Sequence, residues 1–256
     1  MELDGRVALV TGGSRGIGRA ISMTLAAQGA AIAVNYRKDA DAAHATVAAI
    51  EAAGGRAKAY AASVDSFEQD EAMVASALAD FGHIDILVNN AGIASRGQSV
   101  ADTDPAEMER VVRTHAFGPH YLAKMILPSM RAQPRGDIIF ISSVAARTLS
   151  ANGGPYNMGK AAMEALAMTL AREERRNNIH VNIVAPGLVE TDMGFRLARA
   201  TRGTQDMREL DAASPFGRVC QPQDVADAVA FFISGKASYL TGQKIEVDGG
   251  ASGGAL

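Results

Sequence analysis

Residues 7–18 read Val7-Ala-Leu-Val-Thr-Gly-Gly-Ser-Arg-Gly-Ile-Gly18, and an amphipathic stretch from Gly18 to Gln28 follows at once. A short apolar run of strand type passes into a glycine-rich turn, and the turn opens a helix. The spacing T-G-x-x-x-G-x-G is a variant of the dinucleotide turn G-x-G-x-x-G in the same strand–turn–helix setting. Gly12 lets the chain leave the strand sharply. Gly16 brings backbone N–H groups close to a pyrophosphate at the helix amino terminus, where the dipole favours negative charge. Gly18 lets the helix pack closely.

The same alternation continues outward from this turn. Strands are expected at Arg6–Val10, Ala31–Asn35, Lys58–Ala62, Ile84–Asn89, Asp137–Ser142, His180–Ala185 and Lys244–Val247. Several are continuous Val/Ile runs without polar alternation, as in strands buried on both faces of a parallel sheet. Helical patterns fill Gly18–Gln28, Ala40–Ala53, Phe67–Phe81, Pro105–Met130, Tyr156–Arg176 and Pro222–Ile233, with Asp104 placed to cap the fourth. No Pro/Gly/Ser-rich linker interrupts them. The expectation is one α/β domain over residues 1–256, a doubly wound (Rossmann) parallel sheet of about seven strands flanked by helices. Only Thr191–Pro215 breaks the rhythm, and it reads as a helical insertion over the site.

Composition narrows the partners. A net charge of −3 and a pI near 6.0 argue against general nucleic-acid binding. Cys220 is the only cysteine, which excludes an internal disulfide and a cysteine-based zinc site, and the five histidines lack metal-ligand spacing. No apolar run approaches the ~18 residues that span a bilayer. The amino terminus, Met1-Glu-Leu-Asp-Gly-Arg, lacks a signal-peptide core, so a cytoplasmic location is expected.

The place that ends the second strand tests the cofactor. A carboxylate there would bind the 2′-hydroxyl of NAD; this chain has Asn35-Tyr36-Arg37 instead. Arg37 and Arg15 suit a 2′-phosphate, because guanidinium recognises phosphate in a bidentate way. NADP(H) is therefore expected in preference to NAD(H).

Three further motifs carry chemistry: Asn89-Asn-Ala-Gly92 after the fourth strand, Ser142-Ser143 after the fifth, and Tyr156-Asn-Met-Gly-Lys160. Tyr156 and Lys160 are four apart and share a helix face. A phenol has an ordinary pKa of about 10, and a nearby ammonium would lower it towards acid/base use. Ser143 is placed to polarise a carbonyl. With the glycine turn, Pro186-Gly-Leu-Val-Glu-Thr-Asp-Met193 and Thr241-Gly-Gln…Val247-Asp-Gly-Gly250, this ordered set resembles the short-chain dehydrogenase/reductase family, its 3-oxoacyl-(acyl-carrier-protein)-reductase-like branch.

The resemblance implies hydride transfer between nicotinamide and a carbonyl or secondary alcohol, with Tyr156 as general acid/base and Lys160 also holding the nicotinamide ribose. It implies cofactor contacts at Gly12, Ser14, Arg15, Gly16, Ile17, Gly18, Asn35, Tyr36, Arg37, Ser63, Val64, Asn89, Ala91, Gly92, Tyr156, Lys160, Pro186, Gly187, Val189 and Thr191. It also implies a homotetramer paired through the long helices, with a 3-oxoacyl thioester, delivered by acyl carrier protein, as one substrate. Two other readings stand beside this: a sugar or polyol dehydrogenase, and a non-catalytic NADP sensor on the same fold.

The chain departs from the family pattern twice. Ser63 stands where an acidic residue contacts adenine, with Asp65 two places later. His115, in Val112-Arg-Thr-His115-Ala-Phe-Gly118, stands where the family has a catalytic asparagine. An imidazole there reads either as support for proton relay, its titration near neutrality adding a pH dependence, or as a satisfied core histidine with no catalytic share. On the substrate side, Arg196, Arg199, Arg202 and Arg208 follow Met193; they read either as a solvated face or as a site for an anionic group. Cys220 reads as structural.

Overall fold

Every residue of Val7–Val10, Ile86–Asn89 and Gly136–Ile141 is buried, because helices cover both faces of the sheet these strands form. In the computed structural model, which describes residues 1–251, the elements follow one another as strand and helix. They are β1 (Val7–Val10), α1 (Gly16–Ala27), β2 (Ala31–Tyr36), α2 (Ala40–Ala52), β3 (Ala57–Ala61), α3 (Phe67–Phe81) and β4 (Ile86–Asn89). After them come α4 (Pro105–Val112), α5 (Gly118–Arg131), β5 (Gly136–Ile141), the short α6 (Ala145–Thr148), α7 (Gly154–Glu174) and β6 (Ile179–Pro186). The chain closes with α8 (Asp192–Arg202), α9 (Pro222–Ile233) and β7 (Lys244–Val247). Residues 252–256 of the expected domain lie outside the described residues.

All seven strands run parallel in the order β3-β2-β1-β4-β5-β6-β7. Each face of the sheet has its own apolar core. Helices α3, α5 and α7 bury Val74, Phe81, Leu122, Ile126, Met163 and Leu170 on one side. On the other, α1, α2 and α9 bury Ile21, Leu25, Ile50, Val229 and Phe232. The doubly wound sheet is thus the one expected, with strand ends shifted by one or two residues.

The helix expected over Pro105–Met130 is two helices. Asp104 caps the first through the Ala106 N–H, but a single wide π turn spans Arg113–Phe117 before α5 begins. Pro119 explains the break: it has no N–H to give the carbonyl four residues back, and its ring would strike that carbonyl. The residue four back is His115, so the extra residue in the turn falls at a candidate site position, a common place for such bulges. Between β6 and α9 lie α8 and two tight turns, Met207–Ala213 and Pro215–Gly217, on a small core of Ala198, Met207 and Val219. Among the described residues no helix is long and apolar enough to cross a membrane.

The amino ends of the strands are closed by paired charge. Asp137 is fully buried and accepts from Arg6 at 2.7 Å and from Arg135 at 2.9 and 3.1 Å. Beside it, Asp85 accepts the Val7 N–H at 2.7 Å and meets His83 at 3.2 Å.

Candidate active site

Strand order reverses between β1 and β4, and in such sheets the crevice outside the carboxyl ends at that point receives the ligand. The glycine turn sits there. Gly12 and Gly16 have φ of +59° and +52°, a backbone state that disfavours side chains. Helix α1 begins behind them with no side-chain cap at Arg15 and no acid in its first turn, so its amino-terminal N–H groups are left for an anion.

Three side chains hold the turn in shape, Thr11 and Asn35 buried and Asn90 half-buried. Asn35 accepts the Gly12 N–H at 3.1 Å and donates to the carbonyls of Tyr60 and Ala62 at 3.3 and 3.1 Å. Thr11 Oγ1 accepts from both Asn90 N and Ala91 N at 2.9 Å, while Asn90 Nδ2 donates to Thr11 O at 2.8 Å. Asn35 is therefore a brace between the turn, β2 and β3, since its amide is already engaged by backbone. Thr11 and Asn90 lay inside motifs quoted from the sequence, yet their bracing role appears only once β1 and β4 are adjacent.

The surrounding groups fit a dinucleotide. Asn89, at the end of β4, is buried with neither Oδ1 nor Nδ2 partnered among the described residues, a costly state in a closed interior. Arg37 is exposed beyond Tyr36, and Arg15 is exposed with only a 4.0 Å approach to Asp192. Ser14 just precedes α1 and Ile17 lies at its start, and Val64, Ala91, Gly92, Pro186, Gly187 and Val189 lie at or just beyond the carboxyl ends of β3, β4 and β6. Two expected contacts are otherwise used: Ser63 donates to Asp65 Oδ1 at 2.6 Å, and Thr191 Oγ1 caps α8 through the Gly194 N–H at 3.0 Å.

Farther along the same edge lie the candidate catalytic groups. Ser143 follows β5, and its oxygen accepts the Ala145 N–H at 3.2 Å, which leaves its own proton to give. Burial raises the pKa of the Tyr156 phenol, and the nearby Ser143 hydroxyl opposes this only in part, so the phenol stays protonated. Lys160, 3% exposed, donates to Ile141 O at 2.7 Å, with Nζ 5.7 Å from the centre of the Tyr156 ring. Burial pushes its ammonium down to about 7, against the attraction of Glu164. That carboxylate accepts from Ser142 Oγ at 2.6 Å and pairs with Lys244 at 2.8 Å. The expectation that the ammonium itself lowers the phenol is thus not met in the chain alone: burial dominates, and Ser143 is the group that opposes it.

His115 stands in the π turn, 1% exposed, with Nε2 at 2.8 Å from Ile93 O. Burial, then the Lys160 charge, push its pKa down to about 3, against the hydrogen bond to Ile93. The expected titration near neutrality is corrected by this: the imidazole is neutral throughout the physiological range. On the substrate side, Arg147 makes a bidentate pair with Glu246 at 2.8 and 2.9 Å, and Arg208 pairs with Glu190 and Asp211. Arg202 borders a cleft of about 490 Å³ with Val144, Leu188, Phe216 and Gly249. Ser143 and Tyr156 do not line it. Cys220 has its thiol pushed up to about 12 by burial and the nearby Asp224, as fits a structural residue.

A family model described as Enoyl-(Acyl carrier protein) reductase matches residues 12–252. The 3-oxoacyl-(acyl-carrier-protein) reductase FabG of Escherichia coli K12 is 36% identical over 252 residues, covering 98% of each chain. The chain belongs to the short-chain dehydrogenase/reductase family. It is an oxidoreductase of the FabG-like branch, with the family's seven-stranded fold.

Solved members of the family superpose over nearly the whole length. A 7α-hydroxysteroid dehydrogenase complexed with NADH and 7-oxo glycochenodeoxycholic acid gives a TM-score of 0.89 at 34% identity, over 97% of this chain and 95% of that one. A short chain dehydrogenase from Burkholderia cenocepacia J2315 in complex with NADP gives 0.87 at 34% identity, over 97% and 98%.

Proposed function

We propose that this short-chain dehydrogenase/reductase reduces a carbonyl to a secondary alcohol with NADPH, using Ser143, Tyr156 and Lys160. The observation that carries the reading is Tyr156 beside Ser143 and one helical turn from the buried Lys160, whose Nζ lies 5.7 Å from the centre of its ring. A bound reduced nicotinamide supplies the hydride to the carbonyl carbon. The Ser143 hydroxyl, oriented by the Ala145 N–H, polarises the carbonyl oxygen. Tyr156 gives its phenolic proton to that oxygen as the C=O bond becomes C–O–H, and Lys160 and solvent restore the proton. Hydride and proton together make up the two electrons and two hydrogens of the reduction.

NADPH is preferred on this reading because Arg37 and Arg15 are exposed beside the turn and no carboxylate ends β2. The insertion over α8 covers the substrate, and the FabG relative supports a 3-oxoacyl thioester, presented by acyl carrier protein, as a substrate. A cytoplasmic homotetramer paired through α5 and α7 completes the proposal.

The test is oxidation of NADPH and NADH with a panel of 3-oxoacyl thioesters, ketones and sugars. Turnover with NADPH on at least one carbonyl, lost in Tyr156→Phe while NADPH still binds, supports the proposal. Binding without turnover on any of them would instead make the chain a cofactor sensor.

A further inference from the structure

The imidazole of His115 is enclosed on four sides. Its Nε2 lies 2.8 Å from Ile93 O and 3.3 Å from the Ile93 N–H, so the Ile93 backbone grips this ring edge in either tautomer, and Nδ1 has no partner among the described residues. The ring stands edge-on to Tyr156, with centroids 5.2 Å apart and planes at 82°. The other two sides are glycines. A Cβ on Gly92 would come within 2.7 Å of Cε1, and one on Gly159 within 2.9 Å of the His115 Cβ and 3.4 Å of Cγ and Cδ2. Both glycines flank chemistry: Gly92 ends Asn-Asn-Ala-Gly, and Gly159 lies between Tyr156 and Lys160 on α7.

A side chain at either glycine would collide with the His115 side chain in this position. The ring is gripped by the Ile93 backbone, fits only because Gly92 and Gly159 carry no side chain, and stands edge-on to the phenol ring. The π turn that bears it is widened just where Pro119 forbids an ordinary turn, so the backbone delivers the ring to this place. We infer that His115 is a positioning residue for the Tyr156 phenol, and that Gly159 is the residue that makes room for it. The inference rests on the reading of Tyr156 as proton donor. A neutral ring wedged in this way holds the phenol against Ser143 and exchanges no proton itself.

The test compares His115→Ala, His115→Asn, Gly159→Ala and the double variant His115→Ala/Gly159→Ala. Readouts are kcat, KM for the carbonyl, NADPH affinity by fluorescence, and the ring signal of Tyr156 in the 13C-tyrosine-labelled chain without cofactor. Tyr156→Phe assigns that signal. His115→Ala and Gly159→Ala are each expected to lower kcat about tenfold, since small misplacements of a reacting group are costly, with NADPH affinity kept within about twofold. Both should shift or broaden the Tyr156 signal.

The double variant should be no slower than either single one, because both act on one contact. His115→Asn, which can still donate to Ile93 O, serves if the alanine variants fold poorly; it should lower kcat and move the Tyr156 signal less than His115→Ala. An unchanged kcat and Tyr156 signal in the His115 variants would overturn the inference, as would losses that multiply in the double variant. Normal turnover by Tyr156→Phe would overturn the proposed function itself. An inactive Tyr156→Phe beside fully active His115 variants would overturn only the positioning role.

Discussion

The two ends of the sheet solve opposite problems with similar residues. At the amino end, Asp137 is buried between Arg6 and Arg135, and Asp85 is bound by a backbone N–H, so each buried carboxylate has its partners. At the carboxyl end, Asn89 has none among the described residues, His115 has an open Nδ1, and Lys160 is buried on a single carbonyl. Buried polar groups are normally satisfied; among the described residues the atoms of Asn89 and His115 without a hydrogen-bond partner lie at this end, while those of Gln28, Asp70 and Glu107 lie elsewhere. Polarity at one end serves stability; at the other it is held ready for chemistry.

This contrast can be broken by mutation. The largest effect is expected from Tyr156→Phe, which removes the proton donor and should lower kcat by about 10³-fold, within the usual range for a positioned acid, with melting temperature nearly unchanged. The amino end should behave in reverse. Asp137→Ala strands two guanidinium groups and should cost about 3–5 kcal/mol, a drop of roughly 10 °C or more in melting temperature. The kcat measured well below that temperature should stay within about twofold, as expected for a site remote from the chemistry. A large loss of kcat without loss of stability in Asp137→Ala would blur the distinction.

Smaller effects sharpen it. With the Lys160 pKa held down to about 7, the ammonium is present below that pH and lost above it. The kcat/KM for reduction, which reports the free enzyme, should therefore fall as pH rises through about 7. Glu164 opposes the burial, so Glu164→Gln should move this limb to lower pH, which a pH–rate profile reads directly. A limb that stays in place would show that Glu164 acts only on Ser142 and Lys244.

Asp70 belongs to neither end. It is fully buried on α3 with no partner for either oxygen among the described residues, and burial together with Asp65 pushes its pKa up to about 8. The folded chain thus holds a proton that the unfolded chain releases near pH 4, so stability from this group is full below that pH and is lost as pH rises to about 8. Asp70→Asn should flatten the fall in melting temperature between pH 4 and 8, by a few degrees. An identical pH dependence in the variant would show that the carboxyl has found a partner in solution.

Much of this was readable in the residues. The strand-to-helix alternation located all seven strands, because two-sided burial writes itself as Val/Ile runs, and the four-residue spacing of Tyr156 and Lys160 places both on α7 with Nζ 5.7 Å from the ring centre. What escaped depended on residues far apart in sequence. Asn35 reads as a cofactor contact until β3 is seen to claim its amide. The break at Arg113–Phe117 depends on a proline that lies beyond it. The neutral state of His115 depends on burial by Gly92 and Gly159, and no local pattern announces that.

The most direct test of the central claim is the fate of the hydride. The chain would be incubated with NADPH deuterated at C4 and the best carbonyl of the panel, and the alcohol analysed by mass spectrometry and NMR. One deuterium at the carbinol carbon from wild type, and none from Tyr156→Phe despite retained NADPH binding, is the predicted result. NADPH bound with no deuterium transferred to any carbonyl, or full transfer by Tyr156→Phe, would contradict it.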